Sequence, residues 1–164
     1  MVEIEFLADE HGNHQVIDLI TSIADRAMTD KDYAELAARI AQLLDYMKDI
    51  GVPPIEKRTL YGISSAGNPI TLEDVVKELN HHHPLMEARA NWRPVGAFRA
   101  IFFYEMDDKG NQTIYFTKAV IKQATYSRDF EHAISASEKM MVEFFKHEYK
   151  RRGFKCQKRI ITMS

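Results

Sequence analysis

The chain has 164 residues, of which 45% are hydrophobic and 28% charged, and its net charge is −2. This length and composition indicate one globular domain with its own core and exclude a disordered or fibrous chain. A single cysteine excludes an internal disulfide, and no apolar run approaches the roughly 20 residues that span a bilayer. Because the start MVEIEF also lacks a signal-peptide pattern, we expect a cytoplasmic protein with no membrane partner.

The first third of the sequence predicts a strand and two helices. Val2–Leu7 alternates between apolar and polar residues, as a short strand does. His14–Ala27 carries apolar residues at helical spacing, and so does the segment that follows Thr29 or Asp30, either of which could cap it. The turn-forming residues GVPP at 51–54 end this second helix.

The rest of the chain predicts a run of strands and a closing helix. Glu56–Pro69 is expected to be a loop or a short strand, and Thr71–Leu79 a short helix capped by Thr71. Further strands are predicted at Leu85–Ala90, Ala97–Met106 and Thr113–Ile121, and a long helix at Asp129–Arg152. The pattern is that of a single α+β domain over residues 1–164, with helices on one face of a mostly antiparallel sheet and the other face partly open.

Two cations stand within the predicted hairpin GAFRAIFFYEMDDKGNQTIYFTKAVIK, where a buried charge is costly. Arg99 and Lys118 each need an acidic partner or an anionic ligand on the open face. Acids such as Glu87 or Glu105 could pair with Arg89 and Arg99. A four-residue turn at 107–110 would place Arg99 opposite Lys118, on the same face. A five-residue turn would send Lys118 to the other face.

The C-terminal part of the chain is basic, from about residue 146 onward. It carries one acid, Glu148, whereas the preceding residues hold 15 basic and 23 acidic side chains. Its cations are Lys146, Lys150, Arg151, Arg152, Lys155, Lys158 and Arg159. Such an extension is either a solvated helix end or an electrostatic contact for phosphates or an acidic partner segment.

The order of several short motifs resembles the RelE/ParE toxin superfamily, and within it the phage-derived HigB-like branch. The resemblance covers about residues 2–145. Its pieces are IGVPP with EKRTLYG, PLMEAR, FRAIFFYE, DDKGN and VIKQATYSRDFEHA. It implies a RelE/ParE-like fold, in which an N-terminal strand and two helices pack on a mostly antiparallel sheet with a long C-terminal helix.

The same resemblance implies a function. Members of this superfamily typically act as the toxin of a type II toxin–antitoxin system and cut mRNA, often on the ribosome, without a cofactor. A helix-turn-helix antitoxin usually neutralises them. We therefore expect an endoribonuclease whose partners are mRNA, the ribosome and such an antitoxin.

Metal-free RNA cleavage needs groups that orient the backbone, stabilise charge on phosphorus and move protons while the 2′-hydroxyl attacks. Arginine and lysine suit the first two tasks, and tyrosine suits the third. We expect Arg99, Lys118, Lys122 and Tyr126 to be catalytic, and Arg89, Arg99 and Lys122 to bind RNA. Each cation could instead be structural or merely solvated.

Other interpretations stay open. His81, His82 and His83 suggest a metal site, but neighbouring residues of a strand point apart and no set of zinc-binding spacing accompanies them, so we expect none. The same fold could also serve as a protein-binding inhibitor, like the gyrase-poisoning ParE toxins. A third alternative is a phage-derived binding module that has lost catalysis.

Overall fold

The computed structural model describes residues 1–152 and has an α+β fold with three α-helices in that range. The elements are β1 (Val2–Phe6), α1 (Gln15–Ala27), α2 (Lys31–Ile50), β2 (Leu60–Ile63), β3 (Pro69–Leu72), β4 (Val76–Glu78), β5 (Met86–Trp92), β6 (Gly96–Met106), β7 (Gln112–Lys122) and α3 (Arg128–Arg152). A single 3₁₀ turn, Ile55–Lys57, follows α2. The long C-terminal helix and the predicted α+β class are confirmed.

Five strands form the main sheet, in the order β1-β7-β6-β5-β4. The first strand runs parallel to β7, and every other pairing in this sheet is antiparallel. The β2–β3 hairpin forms a separate two-stranded sheet. The expectation of a mostly antiparallel sheet is therefore confirmed, with the N-terminal strand added at its edge.

Helices α1 and α2 close one face of the main sheet. Their apolar stripes, which include Ile23, Leu36 and Leu43, pack against the strand residues Phe98 and Phe102 in one buried cluster. Each fully buried side chain of this size contributes about 1.5–3 kcal/mol. This face is a packed core.

The other face is only partly covered. Helix α3 lies over β7 and β6, where Phe130 and Ile134 pack against Ile101 and Phe103. Farther along the helix, Phe144 lies 4.5 Å from the ring of Tyr115, centroid to centroid. Helix α3 therefore covers the part of this face that β6 and β7 form.

The ends of α2 follow from local chemistry. Asp30 caps the helix by accepting from the backbone N–H groups of Asp32 at 2.9 Å and Tyr33 at 3.3 Å, so of the two candidate caps it is Asp30 that acts. Gly51 ends the helix at φ 83°, a conformation that favours glycine. A Cβ on Gly51 would lie 2.7 Å from the side chain of Gln112 at the start of β7.

The helix predicted at Thr71–Leu79 is wrong, since this segment forms β3 and β4. The apolar residues at helical spacing are indeed buried, but the backbone is bonded to other strands. The N–H of Val75 donates to the carbonyl of Arg58 at 3.0 Å, and the carbonyl of Val75 accepts from the N–H of Arg89 at 2.8 Å. Asp74, at φ 49°, separates the two strands.

Part of the basic extension belongs to α3. Arg151 pairs with Glu148 at 3.0 Å and Lys146 with Glu143 at 3.6 Å, both within the helix. Lys155, Lys158 and Arg159 lie outside the described residues. Across residues 1–152 none of the helices has the length and apolar character needed to cross a membrane.

Candidate functional site

Strands β5 and β6 place Arg89 and Arg99 directly opposite each other. Along β6, Phe98 and Ala100 point into the core under α1 and α2, whereas Ile101 and Phe103 pack under α3. Because side chains alternate along a strand, Arg99 shares the face of Ile101. The two guanidinium groups therefore lie on the face that α3 only partly covers.

A short turn sets this register. Trp92 pairs with Gly96, so Arg93–Val95 form a three-residue connection, and the N–H of Val95 donates to the carbonyl of Trp92 at 2.9 Å. The sequence carries the signal for it in the proline and glycine of WRPVG. Counting outward from that turn along both strands places Arg89 opposite Arg99.

The two arginines share one carboxylate. Oε1 of Glu87 lies 3.1 Å from Nε of Arg89 and 3.7 Å from Nε of Arg99. Nε of Arg89 is buried, and its contact with Glu87 lacks the alignment of a hydrogen bond. Glu87 thus confirms one of the two expected acidic partners, but a single carboxylate leaves the trio with an excess positive charge.

Arg99 is the most buried member of the trio, with 7% of its side chain exposed against 17% for Arg89. Its Nη1 donates to Oδ1 of Asn91 at 2.7 Å and to the carbonyl of Phe98 at 2.8 Å. Burial and, to a smaller extent, the charge of Arg89 lower the pKa of Arg99 to about 10, while Glu87 opposes both effects. An added negative charge would favour the protonated form of this guanidinium.

Lys122 lies on the same face as Arg99, at the end of β7. It pairs with Ala97, two residues before Arg99 on β6, and its Nζ lies 4.8 Å from the ring centroid of Phe130 in α3. Among residues 1–151 no carboxylate pairs with Lys122. The structure thus brings Lys122 to the sheet face that carries the arginines.

Tyr126 stands in the short segment between β7 and α3 and is 72% exposed. It follows Lys122 by four residues, so it belongs to the same end of the sheet. The residue is accessible to solvent, and its role in catalysis stays a prediction.

Lys118 does not stand opposite Arg99, and the register expected from a four-residue turn is wrong. Met106 pairs with Gln112, so the turn has five residues, and an irregularity farther along puts Val120 opposite Arg99. The turn is closed by Asp107, whose Oδ1 accepts from the N–H groups of Lys109 and Asn111 at 2.8 and 2.9 Å.

The irregularity turns Lys118 toward the β1 side of α3. There its Nζ donates to Oδ2 of Asp9 at 2.9 Å, and that hydrogen bond, together with the N–H of Asn13, lowers the pKa of Asp9 to about 2. At the same irregularity the hydroxyl of Thr117 donates to the carbonyl of Ile101 at 3.1 Å. Lys118 is therefore held apart from the paired arginines.

The histidine triplet His81–His83 lies in the turn before β5 and does not form a group of metal ligands. His82 contacts Glu138 of α3, and His81 adopts a positive φ in the turn before β5. In the part of the chain that the structure describes, no group of three or more His, Cys, Asp or Glu side chains could hold a metal ion.

Compared with known proteins, the chain matches none of the protein-family models and none of the curated sequences. Any assignment to a family therefore rests on the motifs and on the order of the elements.

Proposed function

We propose that this protein is the toxin of a type II toxin–antitoxin system, a metal-independent endoribonuclease of the RelE/ParE type that cuts mRNA on the ribosome. The observation that carries the proposal is the pair of directly opposed arginines, Arg89 and Arg99, with Glu87 as their shared carboxylate. Like charges directly opposite each other destabilise a sheet. Such an arrangement is explained if the pair receives an anion.

A phosphate group suits the pair for two reasons. Guanidinium groups bind phosphate oxygens through paired N–H donors, and a phosphate supplies the negative charge that Glu87 alone does not. The lowered pKa of Arg99 points the same way, since burial and Arg89 both disfavour its charge until an anion arrives.

The proposed reaction is attack of the RNA 2′-hydroxyl on the adjacent phosphorus, with departure of the 5′-oxygen of the next nucleotide. Arg89 and Arg99 orient the phosphate and stabilise the charge that grows on it. Lys122 adds a point charge on the same face, and Tyr126 exchanges protons with the reacting oxygens. Lys118, on the β1 side of α3, takes no part in this scheme.

The element order supports the same proposal. An N-terminal strand and two helices precede an antiparallel meander, and a long helix closes the chain, which is the order that the motif resemblance implies. The partner that follows from it is a helix-turn-helix antitoxin, and the compartment is the cytoplasm, where ribosomes lie.

A second candidate is favoured by the burial of Arg99. Its guanidinium already bonds to Asn91 and to the backbone of Phe98, and these contacts suit a residue that ties neighbouring strands together. On that account the protein is a non-catalytic binding module of phage origin or a protein-binding inhibitor of the gyrase-poisoning kind.

Induced expression in a bacterial host separates these functions. We expect growth to stop and transcripts to fragment, and we expect Arg99→Gln to relieve both effects. This variant should fold, because Glu87 then balances Arg89 alone; circular dichroism checks it. The matched control is Lys31→Gln, an exposed cation at the start of α2.

Other outcomes identify the alternatives. Growth arrest with intact transcripts and accumulating DNA breaks would indicate the gyrase-type inhibitor. Normal growth with the wild-type protein present and folded would indicate the binding module.

A further inference from the structure

A cleft of about 930 Å³ lies on the β1 side of α3. One wall is the segment that follows β1, from Leu7 to His11, and the other is a single side of α3. Lys118 contributes to the lining from β7. The size falls within the range of small-molecule sites, and the proposed RNA-cleaving residues do not line it.

Lys118 is held in this cleft by an ion pair with Asp9. Asp9 accepts from Lys118 through Oδ2 and from the N–H groups of His11 and Asn13 through Oδ1, at 3.0 Å each. The loop thus holds the carboxylate, and the carboxylate holds the ammonium. With 20% of its side chain exposed, Lys118 presents a positioned donor at the cleft.

Helix α3 adds donors along the same side. His132, Lys139 and His147 recur at seven and eight residues, close to whole turns of a helix, and all three line the cleft. Within residues 1–151 Lys139 has no carboxylate partner. Its charge is available to an anion.

The cleft also has an aromatic wall and acceptors. Phe144 lines it while held by Tyr115 and Phe103, whose ring centroids lie 4.5 and 5.5 Å away. Glu10 and Glu143 supply carboxylates that accept from hydroxyl or amino groups. The lining therefore suits a ligand with one anionic group, a flat apolar body and several hydrogen-bond donors.

We propose that this cleft binds a nucleoside monophosphate. Its phosphate lies between Lys118 and Lys139, and His132 donates to it from the next turns of α3. The base packs on Phe144, and Glu10 and Glu143 accept from the ribose hydroxyls or an exocyclic amine. The site is independent of the arginine pair, which lies toward β5.

Isothermal titration of the whole chain with adenosine 5′-monophosphate tests the proposal. We expect saturable binding that Lys139→Ala weakens about tenfold, the loss expected for one charge-assisted hydrogen bond. Lys31→Ala, which removes an exposed lysine that does not line the cleft, leaves the affinity unchanged. Arg99→Gln also leaves it unchanged, which separates this site from the proposed RNA site. Adenosine and inorganic phosphate, each titrated alone, bind more weakly than the nucleotide.

A second readout locates the ligand. Amide resonances of Ala136–Phe144 should shift on titration, whereas those of β5 should not. Absence of binding would overturn the proposal. So would binding that Lys139→Ala does not weaken, binding that Arg99→Gln abolishes, or equal affinity for inorganic phosphate and the nucleotide.

Discussion

Single residues show how differently charges are compensated in this molecule. Glu35 is buried, yet it accepts from Arg39 Nε at 2.9 Å and from the N–H and hydroxyl of Ser65 at 2.9 and 3.0 Å. Asp9 has three donors of its own. Arg89 and Arg99, by contrast, divide a single carboxylate. This uneven compensation is the reason we propose a functional role for the arginine pair.

Glu35→Gln should reduce the free energy of unfolding by about 2 kcal/mol at pH 7, because Arg39 and Ser65 lose a charged acceptor. Burial raises the pKa of Glu35, but the hydrogen bonds from Ser65 and Arg39 outweigh it and leave the pKa below its usual value. The stabilisation is therefore present above the ordinary glutamate pKa and is lost as pH falls through the folded-state value.

Urea unfolding of the wild type and of Glu35→Gln at pH 7 and pH 3 measures the difference in their free energies of unfolding. This difference should be smaller at pH 3 than at pH 7. The control Glu3→Gln, at an exposed position, should unfold with the wild-type free energy at both pH values. An equal difference at the two pH values would contradict the conclusion that the ionised carboxylate of Glu35 stabilises the fold.

Lys118→Met should raise the pKa of Asp9, because the hydrogen bond from Lys118 is the largest cause of its depression to about 2. The value should stay below the ordinary 3.8, since the N–H groups of His11 and Asn13 still donate. A carbon-detected NMR titration of the Asp9 carboxyl reports it, with Lys122→Met as the unaffected control. An unchanged titration in Lys118→Met would mean that the ion pair does not hold this loop.

At the scale of elements, the sequence predicts best where local chemistry and packing agree. A cap at Thr29 or Asp30, the turn at Gly51 and the apolar stripe between them predict α2, and the structure shows that Asp30 is the cap. The helix predicted at Thr71–Leu79 is wrong because the apolar spacing fits a helix, while the backbone hydrogen bonds of Val75 go to Arg58 and Arg89, which are distant in sequence. Local periodicity does not contain that information.

The β2–β3 hairpin is bonded to α2 through Gln42, in addition to the contact of Glu35 with Ser65 in its turn. Gln42 accepts from the N–H of Ile63 at 2.7 Å and donates to its carbonyl at 2.8 Å. Gln42→Ala should cost about 1 kcal/mol and speed hydrogen exchange at Ile63, because the N–H and the carbonyl of this exposed residue both lose their partner.

Exchange in β6 should not change in that variant, and Asp45→Ala, an exposed position on α2, is the control. If Ile63 exchanged at the same rate in Gln42→Ala, other contacts would hold the hairpin against the helix.

At the scale of the whole molecule, the main sheet separates two kinds of surface. The face under α1 and α2 is apolar and could be predicted from alternation along the strands. The other face could not, because its composition depends on a three-residue turn, a five-residue turn and one irregularity, each of which shifts register. Those three features place Arg99 opposite Arg89 and send Lys118 to the β1 side of α3.

The central claim is that the arginine pair binds RNA phosphate, and the salt dependence of RNA binding tests it most directly. Affinity for a single-stranded RNA oligonucleotide is measured from low to physiological salt for the wild type, Arg99→Gln and the control Lys31→Gln. If Arg99 neutralises one phosphate, its removal lowers the magnitude of the slope of log affinity against log salt by about 0.7. The control keeps the wild-type slope. Identical slopes and affinities for Arg99→Gln and the wild type would contradict the claim.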